Sequence, residues 1–554
     1  MKLVCLVVLC GAFAPAADLV LRSGKIVTLD PAMPVAQAIA ITAGKIAVVG
    51  TNAQIAREIQ PSTKVIDLGG RLAIPGFIDG HAHFTSIGAM KMSLNLTGAK
   101  NWDAIVAMVA AAAKEAKPGE WIVGRGWHQE KWDVKPSPNV NGFPLHAALS
   151  KVSPNNPVLL THASGHAVFV NAAALKAAGI TRDTPNPPGG DIMKDAAGNP
   201  TGLMNEKAQG LVAKAMKEPD VEKEIDLAAQ ECISKGITTF EDAGSPADVI
   251  EHFKRRAASG TLPLRLWVML RPPEDSNELI FKDAARLRMI GFGDDHLTVR
   301  AIKKQIDGAL GTRGAWMLAP YSDLPSTSGF PTETPADIEK TARFAIANGY
   351  QLCVHAIGDR GNREVLNIYE RTFKAHAEKT DLRWRVEHAQ HLDPADIPRF
   401  GKLGVIAAMQ TIHCTSDAPM VIPRLGEKRA EQGAYVWQSL MKSGAHVANG
   451  TDAPVEDVDP IANYYAAVTR KSKDGKAFFP AQKMSRMEAL KSYTIEPAYA
   501  AFEETKKGAL RIGMLADITV LSKDILTIPD EDILNARVDF TIIGGKIAYS
   551  RENR

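Results

Sequence analysis

The sequence has 554 residues, of which 45% are hydrophobic and 23% are charged, and its formal net charge is +3. This length and composition are typical of a globular protein with large buried cores and room for more than one domain. The near-neutral charge, without a dense run of Lys or Arg, argues against nucleic acid or an anionic membrane as the partner.

The first residues have the pattern of a signal peptide. Lys2 supplies a positive start, "LVCLVVLCGAFA" is the apolar region, and "APA" before Ala17 is a small-residue cleavage site. The apolar run is shorter than the about 20 residues that a membrane-spanning helix needs. We therefore expect residues 1–16 to be a signal peptide and the mature protein to be periplasmic or extracellular; an N-terminal strand that begins apolar is the alternative.

The cysteines do not form a recognisable framework. Cys5 and Cys10 would be removed with the signal peptide, which leaves Cys232, Cys353 and Cys414, odd in number and far apart. This spacing fits neither a set of disulfides nor a Cys-x-x-Cys metal site. We expect the three to be buried as small apolar residues.

The two ends of the mature chain share a pattern of short strands and tight turns. "DLVLRSGKIVTLD", "AIAITAGKIAVVG" and "KVIDLGGRLAIPG" follow the signal peptide, and "ADITVLSKD" and "VDFTIIGGKIAYS" stand near the C-terminus. The Ser-Gly and Ala-Gly steps are turn signals. We predict a small β-sandwich domain built from residues 17–72 and 505–554.

Residues 73–504 alternate apolar β-branched runs with amphipathic stretches, which indicates βα units around a parallel sheet. Eight runs qualify as strands, the number that a closed (β/α)8 TIM-type barrel of the α/β class needs. They are "RLAIPGFIDGH", "GITTFEDAG", "PLRLWVML", "TVRAIKKQID", "YQLCVHAIG", "LRWRVEHAQ", "GVIAAMQTI" and "AHVANGTDA". The long interval between the first two, about 90–230, is predicted to be an insertion after barrel strand 1 that covers the active-site face.

Polar side chains recur at the ends of the predicted strands. His81 and His83 end the first strand, where residues i and i+2 share a face. The others are Asp79, Lys303, Lys304, Asp307, His355, Glu387, His388, Gln410, His413 and Asp452. Each alone has an ordinary explanation as a satisfied polar or turn residue. Four strands that place imidazole or carboxylate groups at one end of a barrel predict a site for zinc or a similar divalent ion.

A buried lysine in this cluster requires a separate explanation, because an ammonium group does not coordinate a cation. A lysine carboxylated by carbon dioxide does, since its carbamate presents two oxygens. Neighbouring residues on a strand face opposite ways, so only one of Lys303 and Lys304 points inward. Alternation does not choose between them, and solvation or an ordinary salt bridge is the simpler explanation for either.

Seven motifs of this chain together resemble the amidohydrolase superfamily. They are "PGFIDGHAHF", "IKKQIDGALGTRGAW", "VHAIGDRGNREVL", "RVEHAQHL", "QTIHCTSD", "NGTDAPVEDVDP" and "KGALRIGMLADITVLSKD". The resemblance is to the YtcJ-like branch, amidohydrolase family 3, which includes N-substituted formamide deformylase. It implies a metal-dependent hydrolase barrel with a β-sandwich made from both termini.

The resemblance also implies a ligand set. By motif the metal ligands are His81, His83, Lys303, His355, His388 and Asp452. Lys303 is then the lysine expected to be carboxylated, and the cofactor is a divalent metal, zinc for preference, as one or two ions.

The implied chemistry is attack by metal-activated water on an amide-type carbon. Asp452 is expected to take and return the proton, and His413 or His166 to stabilise the oxyanion. The candidate substrate-binding residues are Trp127, His166, Glu206, Arg313 and Gln410. A packing or surface role is the alternative for each of these five.

The sequence thus predicts an exported metal-dependent amidohydrolase that cleaves a non-peptide C–N bond of a small organic substrate. A deaminase, or an esterase or lactonase on the same metal barrel, is the second enzyme hypothesis. A catalytically inactive binding protein is the third. The sequence names no substrate and leaves a homo-oligomer open.

Overall fold

The computed structural model describes residues 16–216, 220–272 and 276–551. The predicted signal peptide, residues 1–16, lies outside the described residues apart from Ala16. Cys232, Cys353 and Cys414 are free and buried, as predicted. Among the described residues, no helix has both the length and the apolar character needed to cross a membrane.

Eight parallel strands at the centre confirm the predicted (β/α)8 barrel of the α/β class. They are β1 (Phe77–Ala82), β2 (Ile237–Ser245), β3 (Arg265–Leu270), β4 (Leu297–Gln305), β5 (Gln351–Ala356), β6 (Arg385–His388), β7 (Ile406–Met409) and β8 (Val447–Asn449). Each strand hydrogen-bonds to the next one along the chain. Every residue of β1, β3 and β5 is buried, because the barrel interior covers one face and the outer helices cover the other.

The barrel closes where β8 returns beside β1. The Asp452 N–H, just after β8, donates to the His81 carbonyl oxygen at 2.7 Å. Gly80 permits this approach, since a Cβ there would lie 2.7 Å from the Asn449 carbonyl oxygen. Closure therefore brings the first strand's histidine next to an aspartate from the far end of the barrel.

Amphipathic helices surround the strands. The helix Pro335–Asn348 has clear start and stop signals in its sequence. At its start the Thr334 side chain accepts a hydrogen bond from the Asp337 N–H and a proline stands in the first turn. At its end Gly349 adopts a left-handed conformation with φ +67°. The helices around the barrel are Phe84–Lys91, Val221–Ser234, Ala247–Ala258, Asn277–Leu287, Phe292–Asp295, Pro335–Asn348, Asp359–Ala375, Ile397–Leu403, Thr411–Leu425, Glu427–Gly433, Trp437–Lys442, Pro460–Thr469, Arg486–Ser492 and Ile495–Ala500.

The insertion between β1 and β2 forms a sheet of its own. Its six strands, in spatial order, are Gly190–Lys194, Pro200–Glu206, Ala167–Val170, Val158–His162, Ile122–Trp127 and Leu94–Asn95. Its helices are Trp102–Glu115, Ala147–Val152, Ala172–Ala177 and Gln209–Ala213, and a hairpin joins Asn139–Val140 to Phe143–Pro144. Aromatic side chains, among them Trp102, Trp127 and Phe169, fill the core of the insertion.

Both chain termini contribute to a pair of smaller sheets, as predicted. One sheet has the order Lys45–Gly50, Ala38–Thr42, Leu19–Arg22 and Lys64–Asp67. The other has the order Lys546–Ser550, Val538–Ile543, Ile518–Leu521, Leu72–Pro75, Lys25–Val27 and Val35–Ala36. N-terminal Leu72–Pro75 pairs antiparallel with C-terminal Ile518–Leu521. The domain limits after residues 72 and 504 stay predictions.

A buried ion pair fixes the barrel to these terminal strands. Arg265, the first residue of β3, donates from Nε to Asp517 Oδ2 at 2.8 Å and from Nη2 to Oδ1 at 3.1 Å. This bidentate pair combines charge with fixed geometry. It anchors the end of the barrel opposite to the carboxyl ends of the strands.

Candidate metal centre

Three buried side chains meet at the carboxyl ends of β1, β6 and β8. His81 lies in β1, His388 is the last residue of β6, and Asp452 follows β8. One ligand atom of each lies within 4.8 Å of the other two. His388 and Asp452 have φ values of +74° and +54°, a conformation that costs a non-glycine residue on the order of 1–3 kcal/mol and clusters at functional sites.

Glu387 orients the imidazole of His81. His81 Nδ1 hydrogen-bonds to Glu387 Oε2, and Arg385 donates to the same carboxylate at 2.7 and 3.0 Å. Because a carboxylate only accepts, His81 carries its proton on Nδ1 and keeps the lone pair of Nε2. Burial lowers the pKa of His81 to about 4, so the ring is neutral at pH 7. Its Nε2 lies 3.6 Å from Asp452 Oδ1.

Gln410 orients the imidazole of His388. His388 Nδ1 lies 2.7 Å from Gln410 Oε1, and Gln410 Nε2 donates to the Ala408 carbonyl oxygen at 3.2 Å. The second hydrogen bond fixes which end of the amide is the oxygen, so Nδ1 of His388 is the donor. The lone pair of His388 Nε2 is thereby left available, as metal-binding histidines require.

Several buried ring nitrogens near this point have no hydrogen-bond partner among the described residues. They are Nε2 of His81, His355 and His413, and the three rings surround His388 at centroid distances of 4.7, 4.5 and 6.3 Å. An unsatisfied buried polar atom costs about 1–3 kcal/mol. A cation relieves this cost, and imidazole nitrogens with a carboxylate oxygen fit zinc or a similar divalent ion.

The two adjacent lysines of β4 face opposite ways. Lys303 is buried and lines the central cavity with His83 and His355, whereas Lys304 forms an ion pair with Glu333 away from it. Burial lowers the pKa of Lys303 to about 8. Strand alternation alone did not show which of the two lysines faces inward. In the structure Lys303 does, while Lys304 pairs with a carboxylate outside the cavity.

Asp307 holds the end of β5 in place. Its carboxylate accepts the backbone N–H groups of Trp316, Ile357 and Gly358 at 2.8, 2.9 and 2.8 Å. Two of these donors directly follow β5, which carries His355. Burial raises the pKa of Asp307 to about 7. Asp307 thus positions the loop that carries the His355 ring.

Asp452 is the ionised group of the centre. Burial would raise its pKa, but a hydrogen bond from His83 and the neighbouring imidazoles of His388 and His81 hold that pKa well below the usual range. His83 Nε2 lies 3.2 Å from Asp452 Oδ1, and His413 Nε2 lies 3.8 Å from Oδ2. A carboxylate so placed can coordinate a cation or accept a proton.

A cavity above these residues divides into two lobes. The large lobe has a volume of about 790 Å³ and the small lobe of about 60 Å³. His166, His355, His388 and Asp452 border both. The insertion supplies His166, so it contributes to the cavity wall beside the carboxyl ends of the barrel strands.

The five predicted substrate-binding residues have different locations. His166 and Glu206 line the large lobe as a pair, with His166 Nδ1 3.0 Å from Glu206 Oε2. Burial would lower the pKa of His166, but the Glu206 carboxylate raises it above the usual value. Gln410 holds His388, as described above.

Trp127 and Arg313 lie away from the cavity. The Trp127 indole is fully buried in the insertion core and donates to the Leu160 carbonyl oxygen at 2.8 Å. Arg313 pairs with Asp323 at 2.9 Å. Their surroundings give both side chains structural roles, since neither borders either lobe. The stretch "GRGWHQ", residues 124–129, instead places Arg125 at the large lobe and His128 at the small lobe.

The sequence placed Glu387 among the polar strand-end residues without a ligand or catalytic role, and it did not single out Arg385. They stand two residues apart on β6 and therefore share the face that looks into the barrel. The available signal was a pair of opposite charges at i and i+2 in a short strand, "RVEH", that is buried throughout. The sequence does not show that the barrel brings His81 of β1 next to Glu387 of β6, where the two side chains hydrogen-bond.

We expect Gln410→Ala to weaken metal affinity by about 10–100-fold, the usual effect of losing a group that orients a histidine ligand. Without the amide oxygen, His388 is free to rotate and to change its tautomer. Competition with a chelator of known affinity measures the change. Gln438→Ala is the control, because that amide binds Glu488 and the Lys483 carbonyl oxygen elsewhere; equal affinities of the two variants would contradict the assigned role.

A parallel barrel with buried imidazole and carboxylate groups converging at the carboxyl ends of its strands has the architecture of a metal-dependent hydrolase. The sequence profile of the Amidohydrolase family matches residues 64–549. The chain belongs to this family, as predicted.

Three relatives match over most of their length. Protein LONG AFTER FAR-RED 3 of Arabidopsis thaliana is 33% identical and covers 96% of this chain and 92% of its own. The putative amidohydrolase YtcJ of Bacillus subtilis is 33% identical over 89% and 91%. The N-substituted formamide deformylase of Arthrobacter pascens is 27% identical over 96% and 98%.

Solved structures share the fold. An uncharacterized metal-dependent hydrolase from Pyrococcus horikoshii superimposes with a TM-score of 0.74 at 24% identity, over 93% of this chain and 99% of its own. A triazine hydrolase variant has a TM-score of 0.54 at 15% identity, over 96% and 95%. At these sequence identities the similarity shows a shared fold.

Proposed function

We propose that this protein is an exported, metal-dependent amidohydrolase that cleaves a non-peptide C–N bond of a small organic substrate. The observation that carries the proposal is the grouping of His81, His388 and Asp452, whose ligand atoms all lie within 4.8 Å of one another. Among the described residues the Nε2 atom of His81 has no hydrogen-bond partner, and His388 and Asp452 border a cavity of about 790 Å³. Export rests on the N-terminal pattern of Lys2, an apolar run and a small-residue cleavage site.

The residues that would hold the metal are His81, His83, Lys303, His355, His388 and Asp452, with zinc as one or two ions. A bound divalent ion supplies Lewis acidity, which lowers the pKa of water from about 15.7 to about 7 and polarises a carbonyl group. Imidazole and carboxylate donors in a buried, parallel-barrel site support this assignment.

Lys303 completes this set as a carbamate. Its neutral amine adds to carbon dioxide, forming an N–C bond and releasing one proton, and the product presents two oxygens to the ions. Two observations support this: Lys303 is buried at the cavity wall, and it makes no hydrogen bond or ion pair within the described ranges 16–216, 220–272 and 276–551.

Asp452 moves the proton in the proposed reaction. Its ionised carboxylate accepts the proton of the attacking water and later delivers it to the leaving nitrogen. His413, 3.8 Å from Asp452 Oδ2, and His166 at the cavity wall donate hydrogen bonds to the oxyanion that forms on the carbonyl carbon.

The reaction class is tested with a panel of N-formyl, N-acyl and cyclic amides, each assayed with zinc- or manganese-reconstituted enzyme. We expect equimolar amine and carboxylate from at least one open-chain amide, because the site pairs a water activator with a proton donor for nitrogen. The similarity to an N-substituted formamide deformylase supports starting with N-formyl compounds. Release of ammonia alone, or turnover confined to esters and lactones, would contradict amide hydrolysis.

A further inference from the structure

The large lobe of the cavity is lined by several cationic side chains. Its two acidic residues are both engaged by histidines: Glu206 pairs with His166 at 3.0 Å, and Asp452 with His83 at 3.2 Å. Arg125 and Lys207 also border this lobe. Neither has a carboxylate within 4.0 Å among the described residues, so the lobe has positive charge to offer a ligand.

Arg125 is held in position by neutral groups. It lies on the insertion strand Ile122–Trp127, where its Nε donates to the Pro454 carbonyl oxygen at 3.4 Å and its Nη2 to the Ala163 carbonyl oxygen at 3.3 Å. Its Nη1 has no hydrogen-bond partner in the part of the chain that the structure describes. Burial lowers the pKa of Arg125 to about 10, so it stays charged at neutral pH.

The guanidinium lies close to the proposed reaction centre. Arg125 borders the same lobe as His83, His166 and Asp452. The negative charge of Asp452 raises the pKa of Arg125, although burial lowers it by more. Arg271, after β3, borders this lobe as well and donates to Gln305 Oε1 at 3.0 Å. An anionic group in the lobe would therefore sit beside the atoms that react.

The small lobe offers no comparable charge. Its lysine, Lys131, lies 3.8 Å from Glu456 Oε1. Besides Asp452, the small lobe has one other aspartate, Asp417, which accepts a hydrogen bond from the Tyr435 hydroxyl at 2.7 Å. Apolar groups of Leu310 and Met420 complete the wall. This lobe suits a small uncharged group, whereas the large lobe suits a larger anionic one.

We infer that the substrate is an N-acyl compound that carries a carboxylate, and that Arg125 binds this carboxylate in the large lobe. The inference rests on the proposed amide hydrolysis and names its substrate class. A small acyl group occupies the small lobe, and the amide bond lies between the lobes, over Asp452. The forked N–H groups of an arginine match a carboxylate in geometry and in charge.

The test measures binding, so it does not depend on turnover. Calorimetry compares N-acetylphenylalanine with N-acetylphenethylamine, which lacks only the carboxylate, on metal-loaded Asp452→Asn enzyme. We expect the acid to bind about 30-fold more tightly, the effect of one hydrogen-bonded charge pair. Adding Arg125→Met should abolish this preference by weakening the acid alone, and Arg125→Lys should keep part of it.

The control is Lys131→Met in the same background, which removes a cation from the other lobe and should keep the preference. Equal affinities for the acid and the neutral amide, no binding by either, or a preference that survives Arg125→Met would overturn the inference. Equal weakening of both ligands would also overturn it, because it would assign Arg125 a structural role. Failure of the wild-type enzyme to hydrolyse any amide would instead contradict the proposed function.

Discussion

Asp452→Asn is expected to lower kcat by about 10²–10⁴-fold, the contribution of a positioned general base. The substitution keeps the size and shape of the side chain but removes the group that accepts a proton. The backbone bond from the Asp452 N–H to the His81 carbonyl oxygen, 2.7 Å long, does not involve the carboxylate and should persist. Initial rates on the best substrate of the amide panel, with metal content determined on the same preparation, measure the effect.

The matched control for this variant is Asp457→Asn, the same change in the same loop. The Asp457 side chain is 69% exposed and lies 3.4 Å from Lys235, and an exposed pair of this kind contributes little. We expect its kcat to equal that of the wild type. Full activity of metal-replete Asp452→Asn would refute the role of this carboxylate in proton transfer.

Arg385→Met is expected to lower the free energy of unfolding by about 3–5 kcal/mol, as when one partner of a buried ion pair is removed. Arg385 is fully buried and forms ion pairs with Glu387 and Glu241, and its Nη2 donates to the Gly80 carbonyl oxygen at 2.6 Å. Arg385 and His81 hold the pKa of Glu387 below its usual range against the effect of burial. Burial raises the pKa of Glu241 to about 8, so one guanidinium balances one carboxylate at neutral pH.

Without Arg385, the Glu387 charge would be buried without a counter-ion beside the metal ligand His81. Urea denaturation measures the loss of stability, and Arg286→Met is its control. Arg286 also pairs with two acids, Glu251 and Asp283, but its side chain is 48% exposed, which predicts a change of about 0–1 kcal/mol. Equal stability of the two variants would refute the importance of the buried network.

Much of the fold was predictable from the sequence because buried segments are rich in apolar residues. The strands of a parallel barrel are buried on both faces, so β3 and β5 are mostly apolar, "RLWVML" and "QLCVHA", with polar residues near their ends. The spacing of His81 and His83 likewise follows from strand geometry. Their proximity to Asp452 required only the assumption that eight strands close into a ring.

The choice between Lys303 and Lys304 shows the limit of such patterns. Strand alternation states that the two side chains diverge, but it does not state which one faces inward. That depends on Glu333, which lies beyond β4 in the chain and pairs with Lys304. No local pattern encodes a contact of this kind.

The insertion shows a second limit. Strict alternation along Ile122–Trp127 would place Arg125 and Trp127 on the same face. The strand instead has an irregularity between these two residues, and Gly126 has φ +107°, so Trp127 turns into the core and Arg125 faces the cavity. From the sequence, Trp127 is predicted to be a substrate contact, with packing as the alternative; the structure places Arg125 at the cavity and Trp127 in the insertion core.

We propose that His81, His388 and Asp452 hold a divalent metal ion. The most direct measurement is anomalous diffraction at the zinc edge from crystals of the reconstituted protein. We predict a peak about 2.0–2.2 Å from His81 Nε2, His388 Nε2 and an Asp452 oxygen, and no such peak in His81→Ala crystals prepared in the same way. A zinc-replete wild-type crystal with these side chains ordered and no peak between them would contradict the claim.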